Sequence, residues 1–406
     1  MEGEAFDVVV VGGGLGGITL AAALSGRGHS TAVLEARRGI APAKRGMSLA
    51  PNGLRILEKL HLLTDVEGIS RKIRTVRYLQ GSGELLVAYD YNMLDLKPNY
   101  LLAFRPHELE ILLRKRALEK RVSVYEGASF NSFLHENGQI RGVETTIDGK
   151  KRELNAKVVV GADGGRSKVR DAAGIQAKSR HSNSSYLVTI AGDIDGSNDD
   201  ACHYLSKGKM LGRFSLPRGQ YLFYYIPVGE IEAVKSDGPE RLKTDLTALA
   251  PELKGTLDDL RSWDDFPYMV PQDISVDSWV ADHVALLGDA AHSIEPSLGQ
   301  GGSLTLSDVD ALLEVLETCF AKSDFSAAAL KRYEEARRPQ TEVLQRMAEL
   351  TATLMNTSNS AVEWFRDRTL RKMRDNPSSA MLALEIGSGT KKSVSFIEKL
   401  RLAGLF

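Results

Sequence analysis

The chain has 406 residues and a nearly balanced charge, with 52 Lys and Arg against 53 Asp and Glu. This length is enough for about two domains with large cores. The balanced charge argues against a nucleic-acid partner, which would need a basic surface. The two cysteines, Cys202 and Cys319, have no CxxC or histidine-rich neighbourhood. The sequence therefore predicts no metal site and no disulfide framework.

The sequence also bears on where the protein acts. No apolar stretch approaches the length that spans a bilayer, and Met1–Glu4 lacks the positive segment of a secretion signal. We therefore expect a cytoplasmic protein that is a monomer or a homodimer.

The first motif is a glycine-rich turn near the start of the chain. An apolar run, Phe6–Val11, is followed by glycines in the GxGxxG order and by an apolar segment, Leu15–Arg27. This pattern predicts a strand, a tight turn and a helix. Gly12 permits the turn, Gly14 lets the main chain approach a pyrophosphate, and Gly17 lets the helix and strand pack closely.

The next apolar run, Thr31–Glu35, predicts a second strand that ends in a carboxylate. Glu35 is placed to accept hydrogen bonds from an adenosine ribose, and Ala36 and Arg37 follow it directly. No second GxGxxG segment indicates a separate nicotinamide domain. The alternative interpretation is a glycine-rich turn in an ordinary α/β protein.

Two short segments follow in which a basic residue precedes a predicted helix. Arg45 precedes Gly46–Gly53, a turn-rich link that contains Ser48 and leads to a predicted helix over Leu54–Leu63. This link either brings flexible backbone to a bound cofactor or is a solvated linker. Arg105 precedes Pro106, which suits the first turn of a helix over His107–Glu119. Arg105 then either points toward the strand tips or forms a structural salt bridge.

The second motif follows a predicted β-meander. Asn137-Gly138 and Asp148-Gly149 are hairpin turns, so Ile140–Ile147 and Lys151–Val160 should pair antiparallel. The last of these strands ends in Gly161-Ala162-Asp163-Gly164. Asp163 is expected to face the crevice at the carboxyl ends of the strands.

Residues from about 185 to 269 predict an antiparallel sheet, with strands over Tyr186–Asp193, Lys209–Leu216 and Tyr221–Val228. Alternation in the third strand places Tyr221, Phe223 and Tyr225 on one face. That face either lines an aromatic pocket or belongs, like the opposite face, to a core.

The third motif follows a predicted buried strand over Val284–Leu287. It contains Gly288-Asp289 and the loop Pro296–Gly302, and a helix is predicted over Ser303–Phe320. Glycine-rich amides at a helix start suit a reduced flavin with negative charge on its N1–C2=O edge. The three motifs together predict a site for FAD. His292 is either a catalytic base or, more commonly at such a position, a structural residue.

The tail, Thr341–Phe406, is helical in pattern. Within it, Val362–Arg374 reads as a basic amphipathic helix. Such a helix either lies on a membrane or a partner, or packs on the protein's own core.

These motifs carry a family resemblance from Phe6 to about Leu316. GGGLGG with Glu35, GADGGRSKVR at 161–170 and GDAAHSIEPSLGQGG at 288–302 resemble single-component FAD-dependent monooxygenases of the para-hydroxybenzoate hydroxylase type. Ser303 departs from that family, which usually has Asn there. The resemblance implies cofactor-binding roles for Gly12, Gly14, Leu15, Gly17, Glu35, Ala36, Arg37, Arg45, Gly46, Ser48, Arg105, Asp163, Asp289, Pro296, Gly299, Gly301, Gly302 and Ser303.

The resemblance also implies the chemistry. Tightly held FAD is reduced by NAD(P)H, dioxygen adds at flavin C4a, and the resulting hydroperoxide hydroxylates a phenol-like aromatic or similarly electron-rich small molecule. No residue is assigned as a catalytic base, and the weak candidates are Tyr224, Tyr225, Arg213 and His203. Two alternatives are a reductase or dehydrogenase acting on a C–C bond without oxygen, and a non-catalytic flavin-binding escort protein.

The predicted fold class is α/β, with a Rossmann-type FAD-binding domain, an interleaved antiparallel-sheet substrate domain and a C-terminal helical segment. The predicted domains are 1–75, 100–180 and 277–345 for FAD, 76–99 and 181–276 for substrate, and 346–406 for the helical segment.

Overall fold

The computed structural model describes residues 4–194, 196, 200–391, 393–395, 397, 398 and 402. Its strands are β1 (Glu4–Val11), β2 (Thr31–Glu35), β3 (Met47–Leu49), β4 (Arg71–Ile73), β5 (Thr75–Gln80), β6 (Leu85–Asp90), β7 (Leu101–Phe104), β8 (Ser123–Glu126), β9 (Ala128–Glu136), β10 (Gln139–Ile147), β11 (Lys150–Gly161), β12 (Ala177–His181), β13 (Ser184–Ala191), β14 (Asp200–Ser206), β15 (Lys209–Ser215), β16 (Gln220–Pro227), β17 (Tyr268–Met269), β18 (Gln272–Val276), β19 (Val280–Ala281) and β20 (Val284–Leu286).

The helices alternate with strands in the first third of the chain and dominate its last quarter. They are α1 (Leu15–Gly26), α2 (Pro51–Lys59), α3 (Leu63–Gly68), α4 (Pro106–Glu119), α5 (Lys168–Ala172), α6 (Ile231–Ser236), α7 (Pro239–Leu249), α8 (Gly301–Lys322), α9 (Ala327–Met355), α10 (Ser360–Asp375) and α11 (Pro377–Gly387).

The first sheet has the order β19-β20-β11-β1-β2-β8, and β10 and β9 extend it from the first half of β11. The pairs of β1 with β11 and β2, of β2 with β8, and of β11 with β20 are parallel. Its centre is fully buried, as the unbroken apolar run Val8–Val11 requires. The predicted hairpin turns are present, and Asn137, Gly138, Asp148 and Gly149 all have the positive φ that such tight turns favour.

The second sheet has the order β17-β13-β16-β15-β14-β5-β6 and is antiparallel except for the pair of β14 with β5. One of its faces is covered by α7, whose Leu242 and Leu246 are buried against Leu222 and Tyr224. The other face is turned toward the cofactor motifs. A Rossmann-type sheet, an antiparallel sheet and a helical tail together confirm the predicted fold class.

The turn-rich link at 46–53 differs from its prediction. Met47–Leu49 forms β3 and pairs with β7, and α2 already begins at Pro51. Proline suits the first turn of a helix because its missing N–H has no partner there anyway. The predicted helix over Leu54–Leu63 is therefore α2 followed by the separate helix α3.

The tail packs on the protein's own core, which was one of the two alternatives. The α10 residues Leu370 and Met373 are buried against the second sheet. Trp364 is 65% exposed and lies beneath the Arg368 guanidinium at 5.7 Å. Within the described residues, no helix combines the length and the apolar character needed to cross a bilayer.

Candidate active site

The three sequence motifs lie together because the strands that precede them are neighbours. Val11 is aligned with Gly161 on β11, and Gly161 is aligned with Leu286 on β20. Parallel strands place their carboxyl ends at one edge of the sheet, so the three turns share that edge. Arg170 joins the second motif to the third by donating to the carbonyl oxygen of Ala290 at 3.2 Å.

Gly12 and Gly17 in the first motif occupy positions where a side chain would collide with main chain. Gly12 has φ +108°, and a Cβ there would lie 2.2 Å from the Ala162 oxygen. A Cβ on Gly17 would lie 2.0 Å from the Gly12 oxygen. Gly14 is different, because a Cβ built there would have no atom of the described residues within 4 Å, apart from its own chain neighbours. The space beside Gly14 is open and faces a cavity.

That cavity has a volume of about 1170 Å³ and lies between the strand tips, the second sheet and the helical tail. This volume exceeds the roughly 300–1,000 Å³ that a single ligand site commonly occupies. The predicted cofactor residues that line it are Gly14, Leu15, Gly17, Arg45, Gly46, Ser48, Asp289, Pro296, Gly299, Gly301 and Gly302.

Two helix starts open onto the cavity, and their properties suit FAD. Neither α1, preceded by Gly14, nor α8, which begins with Gly301 and Gly302, has a side-chain cap. Uncapped amides and the positive end of the helix dipole attract negative charge. Arg45 also lines the cavity and has no ion-pair partner among the described residues. These groups fit a diphosphate and a ring that becomes anionic on reduction.

Asp289 presents its carboxylate to the same cavity. The side chain is accessible there although protein surrounds the site. Burial raises the pKa of Asp289, and the nearby charges of His292 and Arg45 oppose that rise. A carboxylate in this setting can accept hydrogen bonds from the hydroxyl groups of a ribityl chain.

Glu35 lies at the end of β2, outside the enclosed cavity. Its carboxylate accepts hydrogen bonds from the amides of Gly13 at 3.0 Å and Arg37 at 2.8 Å, and from Arg37 Nε at 3.1 Å. Ala36 and Arg37 are exposed. Glu35 is itself buried, and because a carboxylate has about four acceptor sites, three filled sites leave about one for a ribose hydroxyl.

Asp163 does not face the crevice as predicted. Its carboxylate accepts hydrogen bonds from the Ser167 hydroxyl at 2.5 Å and the Lys168 amide at 2.7 Å. It therefore satisfies the free donors at the start of α5. Ala162 and Gly164 line the cavity in its place.

Arg105 and Ser303 also lie outside the cavity lining. The Arg105 guanidinium donates to the Arg218 carbonyl oxygen at 3.3 Å, and it forms no salt bridge with the residues that the structure describes. The Ser303 hydroxyl is buried and accepts a hydrogen bond from the Ala50 amide at 2.9 Å. It fixes the start of α8 against the β3–α2 connection.

The second sheet supplies an aromatic wall to the cavity. Its central row runs across four strands, from Phe223 through Gly212 and His203 to Tyr78. A Cβ on Gly212 would lie 1.9 Å from Phe223 Cζ, so the glycine leaves the space that this ring fills. We define the aromatic wall as Tyr78, Tyr89, Tyr91, His203, Phe214, Tyr221 and Phe223.

Of the four weak catalytic candidates, only His203 lines the cavity. Tyr224 lies on the opposite face of the second sheet, packed beneath α7. Arg213 is on that face too, where it pairs with Asp200 at 3.2 Å. Tyr225 is on the cavity side of β16 but is not part of the lining. Strand alternation separates these residues, and the sequence did not show which face would be the wall.

His203 is enclosed by the aromatic wall. Its ring stacks on Tyr78 with centroids 4.6 Å apart and meets Phe214 and Phe223 edge-on. Burial lowers the pKa of His203 from 6.5 to about 4. The imidazole is therefore neutral at pH 7, with one ring nitrogen able to accept a hydrogen bond.

This pKa shift predicts a pH-dependent stability. Between pH 6.5 and 4, His203 is protonated in the unfolded chain but remains neutral in the folded protein. The free energy of unfolding should therefore fall as the pH decreases through this range. The total contribution is about 3 kcal/mol. Denaturant unfolding of the wild type and of His203→Phe at pH 7 and pH 4.5 measures it. A wild type that loses no more stability than the variant would contradict the shift.

His292 has a structural position, which was one of the two alternatives. It is buried, stacks on Trp279 at 4.7 Å, and its Nε2 lies 2.6 Å from Asp308 Oδ2. Asp308 in turn accepts from Arg337 Nε at 2.9 Å. Burial opposes ionisation of Asp308, but the charges of His292 and Arg337 hold its pKa below the usual value. This buried cluster holds α8 and α9 behind the third motif.

Residues 5–348 match the protein family described as "FAD binding domain". The chain belongs to this family. Its cofactor is therefore FAD, as predicted. The family match and the relatives below also identify it as an FAD-dependent monooxygenase of the aromatic hydroxylase type, in agreement with the resemblance.

Two curated relatives span most of this FAD-binding chain. The 6-methylpretetramide 4-monooxygenase of Streptomyces rimosus is 28% identical over 87% of this chain and 85% of its own length. The 2-heptyl-3-hydroxy-4(1H)-quinolone synthase of Pseudomonas aeruginosa is 26% identical over 94% and 98%. They support the monooxygenase prediction and neither of the two alternatives.

Two solved structures share the fold of this FAD-binding protein. P. aeruginosa PqsL, in complex with 2-aminobenzoylacetate, has a TM-score of 0.79 and 25% identity over 89% of this chain and all of its own. The p-nitrophenol 4-monooxygenase PnpA of Pseudomonas putida has a TM-score of 0.80 and 21% identity over 96% of this chain and all of its own, and shows the fold alone.

Several residues that line the cavity of this FAD-binding protein were not predicted from the sequence. Tyr78, Tyr89 and Tyr91 lie in the predicted substrate domain but were not singled out. The available signal was the spacing of Tyr89 and Tyr91, which are two residues apart and therefore share one face of an extended segment. Tyr186 was also missed, and its hydroxyl donates to Glu295 Oε1 at 2.5 Å. That bond ties the loop before Pro296 to the second sheet.

Proposed function

We propose that this FAD-dependent monooxygenase hydroxylates a phenol-like aromatic substrate held between the flavin loops and the aromatic wall. The observation that carries the proposal is that one cavity is lined both by the cofactor motifs and by the aromatic wall. When bound, FAD supplies the redox chemistry: it is reduced by NAD(P)H, activates dioxygen and transfers one oxygen atom to the substrate. We place the enzyme in the cytoplasm, where NAD(P)H is available.

The wall's chemistry suits a flat, electron-rich ring. Within the wall, neighbouring rings lie with their centroids 4.6–5.9 Å apart. The same Tyr and Phe rings can make stacked or edge-on contacts with a substrate ring. The apolar surface also keeps water from the reacting atoms. Gly46 lies against the Tyr221 ring, so the loop after Arg45 meets the wall directly.

His203 is the polar group that fits a phenol. Its neutral ring can accept a hydrogen bond from the substrate hydroxyl and so polarise the O–H bond and orient the ring. We propose His203 as the residue that positions the substrate hydroxyl. Asp289, Arg45, Pro296 and the Gly299–Gly302 loop hold the flavin on the facing side in this proposal.

Oxygen isotope incorporation tests the function directly. The holoenzyme is incubated with NADH or NADPH and a panel of phenols, quinolines and polyketide-like aromatics under ¹⁸O₂. We expect an effective substrate to accelerate NAD(P)H oxidation and to gain one ¹⁸O atom, measured by mass spectrometry. Equal turnover of the substrate without oxygen would support the reductase alternative. An FAD that no nicotinamide cofactor bleaches, with or without a panel member, would support the escort-protein alternative.

A further inference from the structure

The cavity continues past the aromatic wall into the helical tail. Apolar side chains from α9 and α10 line this extension, and we define it as the tail compartment: Leu350, Leu354, Met355, Phe365, Leu370 and Met373. It adjoins the wall, because Leu370 and Met373 pack in one cluster with Tyr78 and Tyr89. We place the cofactor at the strand tips and assign the tail compartment to another molecule.

Two residues that line the compartment carry polar side-chain atoms without hydrogen bonds in the described part of the chain. Arg366 and Thr369 lie on α10, both line the cavity, and both are more than nine-tenths buried. Arg366 Nη2 and Thr369 Oγ1 have no hydrogen-bond partner in the described part of the chain. Residues three apart on a helix are neighbours on one face. Both atoms are shielded from solvent, so an acceptor in the compartment reaches them through a small turn of each side chain. Because a buried donor without a partner is costly, a ligand that supplies such an acceptor would be favoured.

The Arg366 guanidinium is already oriented and largely neutralised. Its Nε donates to Asp367 Oδ1 at 2.7 Å, and its Nη1 donates to the Met355 carbonyl oxygen at 3.3 Å. The Glu363 carboxylate lies 3.6 Å from Nη2, beyond hydrogen-bond distance. Two carboxylates beside one guanidinium disfavour an anionic ligand. A neutral oxygen acceptor, such as a ketone, ester or amide carbonyl, fits better.

We propose that the tail compartment is the distal half of the substrate site, and that Arg366 and Thr369 bind a neutral carbonyl oxygen of an elongated, mainly apolar aromatic substrate. The inference rests on the proposed function, because it assumes that the ring to be hydroxylated lies against the aromatic wall. The apolar lining receives the distal body of the molecule, and the two donors set its register.

Two matched phenols test this inference by binding to the FAD holoenzyme. The probes are 4-hydroxybenzophenone and 4-benzylphenol, which have similar size but differ in the carbonyl group. Dissociation constants are measured from the change in flavin absorbance, without nicotinamide. We expect the wild type to bind the ketone about 10-fold more tightly. Thr369→Val and Arg366→Lys should each remove most of that preference.

Thr353→Val is the matched control, since Thr353 is exposed on α9 and its hydroxyl bonds only to the Glu349 carbonyl oxygen among the described residues. It should keep the wild-type ratio. An unchanged ratio in both compartment variants, equal binding of the two probes by the wild type, or no binding of either probe would each overturn the inference. A ketone preference in an enzyme that hydroxylates no phenol would overturn the proposed function instead.

Discussion

Replacing Gly14 with valine should give a folded but colourless protein. Nothing lies within 4 Å of a Cβ at this position, and its backbone is extended, so the fold can accept the side chain. The valine would instead occupy the cavity at the uncapped start of α1, where we place the pyrophosphate. We expect FAD binding to weaken by at least about 100-fold, or about 3 kcal/mol. Flavin absorbance of the purified protein and titration with FAD measure the effect.

Gly17→Ala is the matched comparison. A Cβ at Gly17 would lie 2.0 Å from the Gly12 carbonyl oxygen, so this smaller substitution should disturb the packing of α1 on the sheet. We expect a lower melting temperature for Gly17→Ala and a nearly unchanged one for apo Gly14→Val. A yellow Gly14→Val protein with normal FAD affinity would show that the cofactor does not approach the first motif.

Replacing His203 with phenylalanine should lower the kcat/KM for a phenolic substrate by about 10- to 100-fold. Phenylalanine keeps the ring stacked on Tyr78 but removes the nitrogen that accepts a hydrogen bond. A substrate hydroxyl left without its partner in a buried site loses roughly 1–3 kcal/mol. Steady-state NAD(P)H oxidation and product formation are measured at pH 7, where native His203 is neutral.

Tyr224→Phe is the control for His203→Phe. Tyr224 also belongs to the second sheet, but it packs beneath α7 on the far face, so loss of its hydroxyl should leave kcat/KM unchanged. FAD content should be the same in all three proteins. If His203→Phe retained the wild-type kcat/KM while Tyr224→Phe did not, our assignment of the cavity face would be wrong.

The cofactor side of the site was predictable because local rules govern it. The turn at Gly12 needs positive φ, the helix after it needs an apolar face, and buried parallel strands need apolar runs such as Val8–Val11. The turns at Asn137-Gly138 and Asp148-Gly149 were equally local. Each feature is fixed within a few residues of the chain, so sequence alone reveals it.

The substrate side was not predictable in the same way, because long-range packing decides it. Alternation showed that Tyr224 and Phe223 lie on opposite faces, but only the position of α7 determines which face is covered. Asp163 was expected at the crevice, yet a competing local bond to Ser167 turns its carboxylate away. Arg366 lies about 200 residues from the second motif, and no pattern in the sequence connects the two.

The cofactor motifs and the tail compartment come from different parts of the chain, and the cofactor motifs are synthesised first. The strand tips and α8 are complete once residue 322 has been made, whereas α10 begins at Ser360. Domains generally fold as their residues leave the ribosome. During synthesis FAD can therefore bind at the strand tips before the helical tail packs over the cavity. Cofactor binding then does not require the finished enzyme to open.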